Sequence, residues 1–569
     1  MVKFLKKFGN KFEIAFYLVI FLNIITSLLE IVSLASIPIL FSIISDNSFE
    51  FIENQSLRNF LNNFIINLSK EQLIKLTLLI IMSIFIVKSI IKIINFIIDG
   101  GLQKKFQKSV NYRLFEHYLN LDYLEIQQIK SSLILRNFNS ELNMCFQFIN
   151  SVMNIVREVM LLIIILVALL LFNFKITFLV LIILSIAFLL FYFLFQRKIK
   201  IYALRIQSYR SKYIENISQS FGSVKETKIY KLESFFKKFF SNTVSKMNDF
   251  DFKINLVRRL PRIYLEIVSV SVILGLIYYS FIIKNEQFES VIISLSFYVV
   301  CFIRIIPSLT QLNILLTQIK QANPSYELIK KFFENKRFKK SNIEIKNKNK
   351  FILKDKITVN NLNFSYDSKK IIFKNANIII RANSVTGIYG HSGSGKSTLI
   401  DIICGVIKID SNIFLDSKEL QRNLEEWQNS IAYIPQEIFL IDDSIYNNVV
   451  LGLDEKTLNI NKIKKSLKNS QLDDHIIDEN KIVGEGGKFL SGGQKQRIGI
   501  ARALYRDKDI LIFDEPTNHL DSNNSENFFK IIKQISKNKT IIVVTHNIMH
   551  KKYFDYIYKL EKNLILLEN

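Results

Sequence analysis

Six stretches of this chain are apolar for long enough to cross a lipid bilayer, and no other feature restricts its fold so strongly. They lie near 14–43, 75–98, 150–172, 176–196, 263–283 and 291–318. A hydrocarbon core about 30 Å thick requires roughly 20 apolar residues in a helix, so each stretch predicts one spanning helix. Composition agrees: 49 % of residues are hydrophobic, mean hydropathy is +0.21, and 48 Phe stand against 6 Pro. That is too apolar for an ordinary soluble enzyme, and the excess falls mostly within the first 330 residues. At 569 residues the chain has room for a second domain with its own core.

The formal charge of +25 would suit a nucleic-acid partner. The Lys and Arg are scattered between apolar runs, however, so they read as the flanks of membrane spans and no nucleic acid is expected. The N-terminus and the stretches 99–148 and 197–262 are rich in basic residues, among them Lys104, Lys105, Lys108, Arg197, Lys198, Lys237 and Lys238. The alternate stretches carry Arg58, Lys70, Lys175 and Lys284. Positive-inside bias then predicts a multi-pass inner-membrane protein with both termini in the cytoplasm. Lys3, Lys6, Lys7 and Lys11 precede an apolar stretch too long for a secretory signal, which reads as the first span. The segments 99–148 and 197–262 are too helix-patterned for plain loops and predict that the spanning helices continue into the cytoplasm. On the outer side, Leu57, Phe60, Leu61, Phe64 and Leu68 recur at helical spacing. They predict either a short helix packed on the span ends or an amphipathic helix touching lipid. Cys145, Cys301 and Cys404 are far apart and lack neighbours at metal-ligand spacing, so neither a disulfide framework nor a zinc site follows.

After a membrane domain over 1–330 comes a linker, 331–350, polar and Lys/Asn-rich from Asn335 to Lys350. From 351 to 569 short β-like runs alternate with helical ones: Lys356–Phe364, Ile371–Ile380, Ser430–Ile434, Ile510–Phe513 and Thr540–Val544. That alternation predicts an α/β domain. Within it, Gly390, His391, Ser392, Gly393, Ser394, Gly395, Lys396, Ser397 and Thr398 fit the pattern G-x-x-x-x-G-K-[ST]. They sit between an apolar strand, Val385–Tyr389, and a helix opening at Leu399. Such a loop turns backbone N–H groups and a helix N-terminus toward one point, where a polyphosphate can sit. Lys396 would reach the β- and γ-phosphates of a nucleoside triphosphate, and Ser397 would hold Mg²⁺. Downstream, Leu490 to Gln494 read LSGGQ, and the apolar strand Ile510–Phe513 ends in Asp514 and Glu515. Asp514 would coordinate Mg²⁺ and Glu515 would polarise the attacking water.

These motifs, in this order and behind six spans, resemble an ABC transporter half-molecule of the exporter type. The resemblance implies an all-α six-helix transmembrane domain (type I ABC exporter fold) fused to an α/β P-loop ATPase domain, with ATP and Mg²⁺ as ligands. It further implies that Tyr366 stacks on adenine, although an ordinary core aromatic is the alternative, and that Gln436 senses Mg²⁺ and the membrane domain. Asn518-His519-Leu520-Asp521 matches the D-loop, and His546 matches the switch histidine that contacts the γ-phosphate. In this family the signature residues Ser491, Gly492, Gly493 and Gln494 bind the γ-phosphate held by the other subunit, so the resemblance implies a homodimer with two equivalent sites. Leu119–Glu125, and Gly222-Ser223-Val224-Lys225 with Glu233 and Phe236, resemble the family's two cytoplasmic coupling segments. Exporters of this type usually read E-A-T-S-A-L-D and I-A-H-R. This chain has Glu515-Pro516-Thr517-Asn518-His519-Leu520-Asp521 and Thr545-His546-Asn547, wording commoner in ABC importers and soluble ABC-F translation factors. The catalytic positions are kept, while coupling details are left open. An ABC-F protein would carry two ATPase domains on one soluble chain and is excluded.

The cargo must be read from ionisable residues within the spans, which are expensive there and functional by default. Lys88 and Lys92 lie in the second span, Arg262 and Glu266 at the start of the fifth, and Arg304 in the sixth. Lys92 and Arg262 could instead reach the cytoplasmic edge, or Arg262 could pair with Glu266. Lys88, Arg262 and Arg304 facing an inward cavity would suit an anionic cargo, arginine being the best match for phosphate oxygens. Pro261-Arg262-Ile263-Tyr264-Leu265-Glu266, with Arg304-Ile305-Ile306-Pro307-Ser308, is similar to bacterial flippases of lipid-linked oligosaccharides (PglK type). That resemblance implies a polyprenyl-pyrophosphate head group at these cations, with Lys88 standing where an arginine is expected. Alternatives are export of a peptide, drug or ordinary lipid and, from another class, an ATP-gated channel or regulatory subunit.

Overall fold

The computed structural model describes residues 10–44, 70–172, 174–195, 199–283, 288–334, 349–366, 371–409, 412–453, 458–472, 481–518, 522–546 and 549–568. The outer segment carrying Leu57 to Leu68, most of the expected linker, and Asp521 lie outside them. By contacts the chain divides into two compact units: Met1–Leu121 with Glu125–Lys340, and Ser341–Asn569 together with Asp122–Leu124.

The first unit is helical. Its long helices are α1 (Asn10–Ile44), α2 (Lys70–Leu119), α3 (Leu142–Phe172), α4 (Phe174–Phe195), α5 (Ile199–Gly222), α6 (Glu233–Tyr278) and α7 (Phe288–Glu334). Among the described residues five helices are long and apolar enough to cross a membrane, and α4 adds a shorter apolar run over Phe174–Leu190. All six expected spans therefore fall on helices. The 50 residues of α2 and the 46 of α6 reach roughly 75 and 70 Å at 1.5 Å per residue, far more than a bilayer needs. Those lengths account for the helical patterning of 99–148 and 197–262.

Two apolar clusters hold the bundle together. One gathers Phe16 and Val19 of α1, Phe106, Val110 and Leu114 of α2, Leu142 and Cys145 of α3, and Ile329 and Phe333 of α7. The other gathers Ile165 and Leu169 of α3, Leu184 of α4, Val272 and Leu276 of α6, and Tyr298 and Cys301 of α7. Outward-facing residues such as Leu79, Met82, Phe96 and Ile97 of α2 remain exposed and apolar, as a lipid-facing surface requires.

The second unit is α/β. Its six-stranded sheet has the order β10-β9-β3-β8-β7-β6, with β3 at Val385–Gly390, β6 at Ile431–Ile434, β7 at Ile510–Asp514, β8 at Thr540–Thr545, β9 at Tyr556–Glu561 and β10 at Leu564–Glu568. Strands β3, β7 and β8 are buried along their whole length, which is why they read as continuous apolar runs. Their pairing with β6 and β9 is parallel. A four-stranded antiparallel sheet, β2-β1-β4-β5, packs beside it, built from β1 (Lys356–Ser365), β2 (Ile371–Arg381), β4 (Asn412–Leu415) and β5 (Lys418–Glu419). Helices α8 (Lys396–Ile403), α9 (Gly492–Arg506) and α10 (Ser522–Ile535) complete the elements that matter for the site. The chain's single tryptophan, Trp427, is fully buried and donates from its indole nitrogen to the Ile403 carbonyl at the end of α8, at 2.7 Å. Tyr123 and Leu124 pack against the core of this unit, and Asp122 pairs with Lys408 at 2.7 Å.

Candidate nucleotide site and intramembrane charges

Four adjacent strands deliver the candidate nucleotide residues to one place. The phosphate loop leaves the carboxyl end of β3, His546 follows β8, Asp514 closes β7, and Gln436 stands two residues beyond β6. In an open parallel sheet the carboxyl edge is where ligands bind. The register fixes their levels: Tyr389 pairs with Thr545, Asp514 with Val544, and Phe513 with Ile434.

The loop itself is shaped for an anion. Gly395 has φ +98°, and a Cβ there would lie 2.7 Å from the Ile372 side chain; only glycine fits both the left-handed backbone and the space. Lys396 is buried, and its ammonium donates to the loop's own carbonyls, Gly390 at 2.9 Å and His391 at 3.1 Å. The Ser394 hydroxyl is enclosed without a hydrogen-bond partner. A buried cation resting on its own loop and an orphaned hydroxyl at the start of α8 fit a phosphate group well.

Opposite the loop, Glu515 is the hub of a carboxylate network. Gln436 Nε2 donates to Glu515 Oε2 at 2.8 Å, and Asn518 Nδ2 donates to the same oxygen at 2.5 Å. His546 Nδ1 lies 3.6 Å from Glu515 Oε1. The Glu515 backbone is left-handed, at φ +49°, and its N–H donates to Val544 at 2.9 Å. That turn is what swings the carboxylate away from its strand. Asp514 is buried, and burial followed by the neighbouring Glu515 charge pushes its carboxyl above the usual range, with hydrogen bonds from Ser397 and Tyr433 opposing the shift. A divalent cation between Ser397 and Asp514 would relieve this cost. Asp401 of α8 is raised to about 6, first by burial and then by the Asp514 charge.

The remaining expected residues are placed differently. Tyr366 is about half exposed, and its hydroxyl is 3.1 Å from Thr398 Oγ1. Ser491 and Gln494 bond each other in a capping box at the start of α9: Gln494 N donates to Ser491 Oγ at 3.3 Å, and Ser491 N donates to Gln494 Oε1 at 2.9 Å. Ser491 and Gly492 are exposed, so the signature presents a helix N-terminus outward.

In the membrane unit the three expected cations all have carboxylate partners. Lys88 is buried, 3.4 Å from Glu30 Oε2, and donates to Ser33 Oγ at 3.1 Å. Arg304 reaches the other oxygen of Glu30 at 2.9 Å. Arg262 is exposed and bonds Glu266, one helical turn on, at 3.0 Å. These two line a cleft of ≈ 420 Å³ with Phe302, Pro307 and Gln311. Lys92 is exposed. Sequence reasoning missed Glu30, an acidic residue deep in the first span that intramembrane cost alone marks as functional. It also missed Glu158 in α3, which accepts from Ser308 at 2.5 Å.

Residues 373–518 match the family model described as ABC transporter. Over 217 residues the chain is 38 % identical to an ATP-dependent lipid A-core flippase of Wigglesworthia glossinidia brevipalpis, an overlap of 37 % of each sequence. A longer overlap, 397 residues at 30 % identity, is with an export ATP-binding/permease protein of Rickettsia typhi and covers 65 % of each. The chain thus spans between about a third and just under two thirds of the length of these curated relatives. A solved bacterial Atm1-family ABC exporter with ATP bound matches with TM-score 0.76 over 98 % of this chain and 94 % of its own, at 16 % identity. That last likeness is one of fold. The second unit carries an ABC transporter ATPase domain. The chain as a whole has the fold of a half-molecule ABC exporter.

Proposed function

We propose that this protein is an ATP-driven flippase that moves an anionic lipid-linked substrate, a polyprenyl-pyrophosphate-linked oligosaccharide, from the cytoplasmic to the outer leaflet. The observation that carries this reading is the Lys88–Glu30–Arg304 group among the apolar spanning helices of the first unit, attached to an ATPase domain. Cations are retained at such depth for anions, and a pyrophosphate offers several acceptor oxygens to Lys88, Arg304 and, from the nearby cleft, Arg262. The similarity to a protein named as a lipid A-core flippase supports a lipid cargo.

In this reading Gly390, Ser392, Gly393, Ser394, Gly395, Lys396, Ser397 and Thr398 hold the phosphates of ATP, and Tyr366 faces the base. Ser397, Gln436 and Asp514 hold Mg²⁺, which neutralises phosphate charge when bound. Glu515 orients the attacking water, its position set by Gln436, Asn518 and His546, and His546 contacts the γ-phosphate. Ser491, Gly492, Gly493 and Gln494, with Asp521, complete the site of a second copy, so the working form is a homodimer. The protein sits in the inner membrane with both termini and the ATPase domain in the cytoplasm.

The test is ATP hydrolysis and lipid translocation by the full-length protein in nanodiscs or proteoliposomes. Polyprenyl-pyrophosphate glycans are expected to stimulate hydrolysis, and Arg262→Ala and Arg304→Ala to abolish the stimulation. Indifference to such lipids, with stimulation by hydrophobic peptides or drugs that survives both substitutions, would establish the alternative exporter reading.

A further inference from the structure

We infer that Glu30 is the built-in occupant of the cationic site and sets a charge threshold for its cargo: a head group must carry more than one negative charge to displace it. This rests on the reading of Lys88 and Arg304 as anion-binding residues.

The geometry is that of a bridging anion. One Glu30 oxygen takes Arg304 at 2.9 Å and the other faces Lys88 at 3.4 Å. The Glu30 and Lys88 side chains are almost wholly buried, while Arg304 keeps over two fifths of its side chain exposed. Lys88 is further held by Ser33 Oγ at 3.1 Å and by the face of Phe85, 4.2 Å from the ring centroid. Ser33 in turn donates to the Glu30 carbonyl at 2.6 Å. Glu30, Ser33 and Lys88 therefore form one clamp between α1 and α2, to which Arg304 of α7 adds an open flank. Two cations and one carboxylate leave a single formal positive charge at this place.

The exchange reaction follows from that count. A monoanionic phosphodiester entering from the Arg304 side replaces one negative charge by another. It also leaves Glu30 buried and unpaired, a strongly unfavourable arrangement. A pyrophosphate carries at least one further charge and enough oxygens to take both cations at once, so it gains an additional charge-assisted contact. Ordinary bilayer phospholipids, present in vast excess, are mostly neutral or monoanionic. Glu30 thus rejects the lipids that surround the site by presenting a competitor of equal charge at high effective concentration.

The experiment uses the full-length protein in phosphatidylcholine nanodiscs, with ATP hydrolysis read during titration with a polyprenyl pyrophosphate and, separately, with phosphatidylglycerol. Wild type is expected to respond to the pyrophosphate lipid alone. Glu30→Gln is expected to respond to both, with the half-maximal pyrophosphate concentration lowered on the order of tenfold, the equivalent of one modest charge-assisted contact. Unchanged selectivity and half-maximal concentration in Glu30→Gln, alongside loss of the response in Arg304→Ala, would overturn the inference while leaving the anionic-cargo reading intact. Retention of the pyrophosphate response in both Lys88→Ala and Arg304→Ala would overturn the two together. Because Glu30→Gln removes a buried partner and could fail to fold, wild type supplies a second test. A polyprenyl phosphodiester of the same chain length should not stimulate it, and stimulation equal to that of the pyrophosphate would also overturn the inference.

Discussion

The Asn313 side-chain amide of α7 donates to the Val257 carbonyl of α6 at 2.9 Å in a buried position. Val257 stands four residues before Pro261, which lies inside α6 and has no N–H to give. The helix therefore orphans this carbonyl, and a neighbouring helix satisfies it. The bond ties α6 to α7 five residues ahead of Arg262, so the stretch presenting that cation is held by a side chain more than fifty residues away.

Removing that donor should leave a buried acceptor unpaired. Asn313→Ala is expected to destabilise the protein by roughly 1–3 kcal/mol and to speed amide hydrogen exchange around 257–262. The cycle with Pro261→Ala is decisive, because alanine restores an N–H at 261. The double variant should recover part of the loss, a coupling visible in thermal unfolding in detergent. Additive losses would show that the bond is incidental.

Glu515 is held by Gln436 at 2.8 Å and by Asn518 at 2.5 Å, so its position and its chemistry can be separated. Glu515→Gln keeps the shape and removes the charge. Hydrolysis should fall by about 10² to 10⁴, the range for loss of a general base, while nucleotide binding persists. Gln436→Ala removes a contact to Glu515 and a proposed Mg²⁺ ligand while leaving the carboxylate in place, so it should lower turnover less and raise the Mg²⁺ concentration needed for half-maximal activity. Single-turnover hydrolysis and equilibrium nucleotide binding separate the two.

The nucleotide site was legible because its chemistry is contiguous. A glycine loop, LSGGQ and an apolar strand ending in two carboxylates each carry their meaning within a few residues. The strand expected at Ile510–Phe513 is found at Ile510–Asp514, and that expected at Thr540–Val544 ends at Thr545. Strands β9 and β10 went unread because they are short and only partly buried: in Tyr556–Glu561 only Tyr558 and Leu560 are buried, and Leu564–Glu568 is mostly exposed. The membrane spans were equally plain, but their internal pairing was not. Glu30 meets residues 58 and 274 positions further along, and no local pattern announces such contacts. The Asn313 bond was likewise hidden, since an orphaned carbonyl appears only once Pro261 is placed inside a continuous helix.

The paired cations should differ in stability cost even if both touch cargo. Arg262 and Glu266 form an exposed pair within one helix at 3.0 Å, a class that contributes about 0.5 kcal/mol or less. Arg262→Ala should therefore leave the unfolding midpoint nearly unchanged while reducing cargo-stimulated hydrolysis. Lys88 shares a buried carboxylate, and losing one partner of a buried pair costs roughly 3 kcal/mol or more. Arg304 still covers one oxygen of Glu30, so Lys88→Ala should fall at or below the low end of that range. Thermal unfolding in the same detergent compares the two directly.

Asp401 predicts a specific pH dependence of the ATPase unit in the absence of nucleotide and Mg²⁺. Its folded-state value is pushed up to about 6 by burial and then by Asp514, against 3.8 for the model carboxyl. Between these values the folded protein holds a proton that the unfolded chain has released, so stability falls as pH rises through that window. Below about 4 both states are protonated, and above about 6 both are ionised, with the cost of the buried charge fully expressed. After allowance for partial solvent exposure that cost is on the order of 1 kcal/mol. Asp401→Asn should thus stabilise the unit at pH 7.5 by about that amount, and the advantage should vanish toward pH 4. Trp427 reports the transition without labelling, since it is the chain's single tryptophan and bonds the carbonyl that ends the Asp401 helix. Chemical unfolding of wild type and variant, followed by its fluorescence across that pH range, should give a stability difference that closes as the pH falls. A difference independent of pH would mean that the substitution acts through packing rather than through the Asp401 charge.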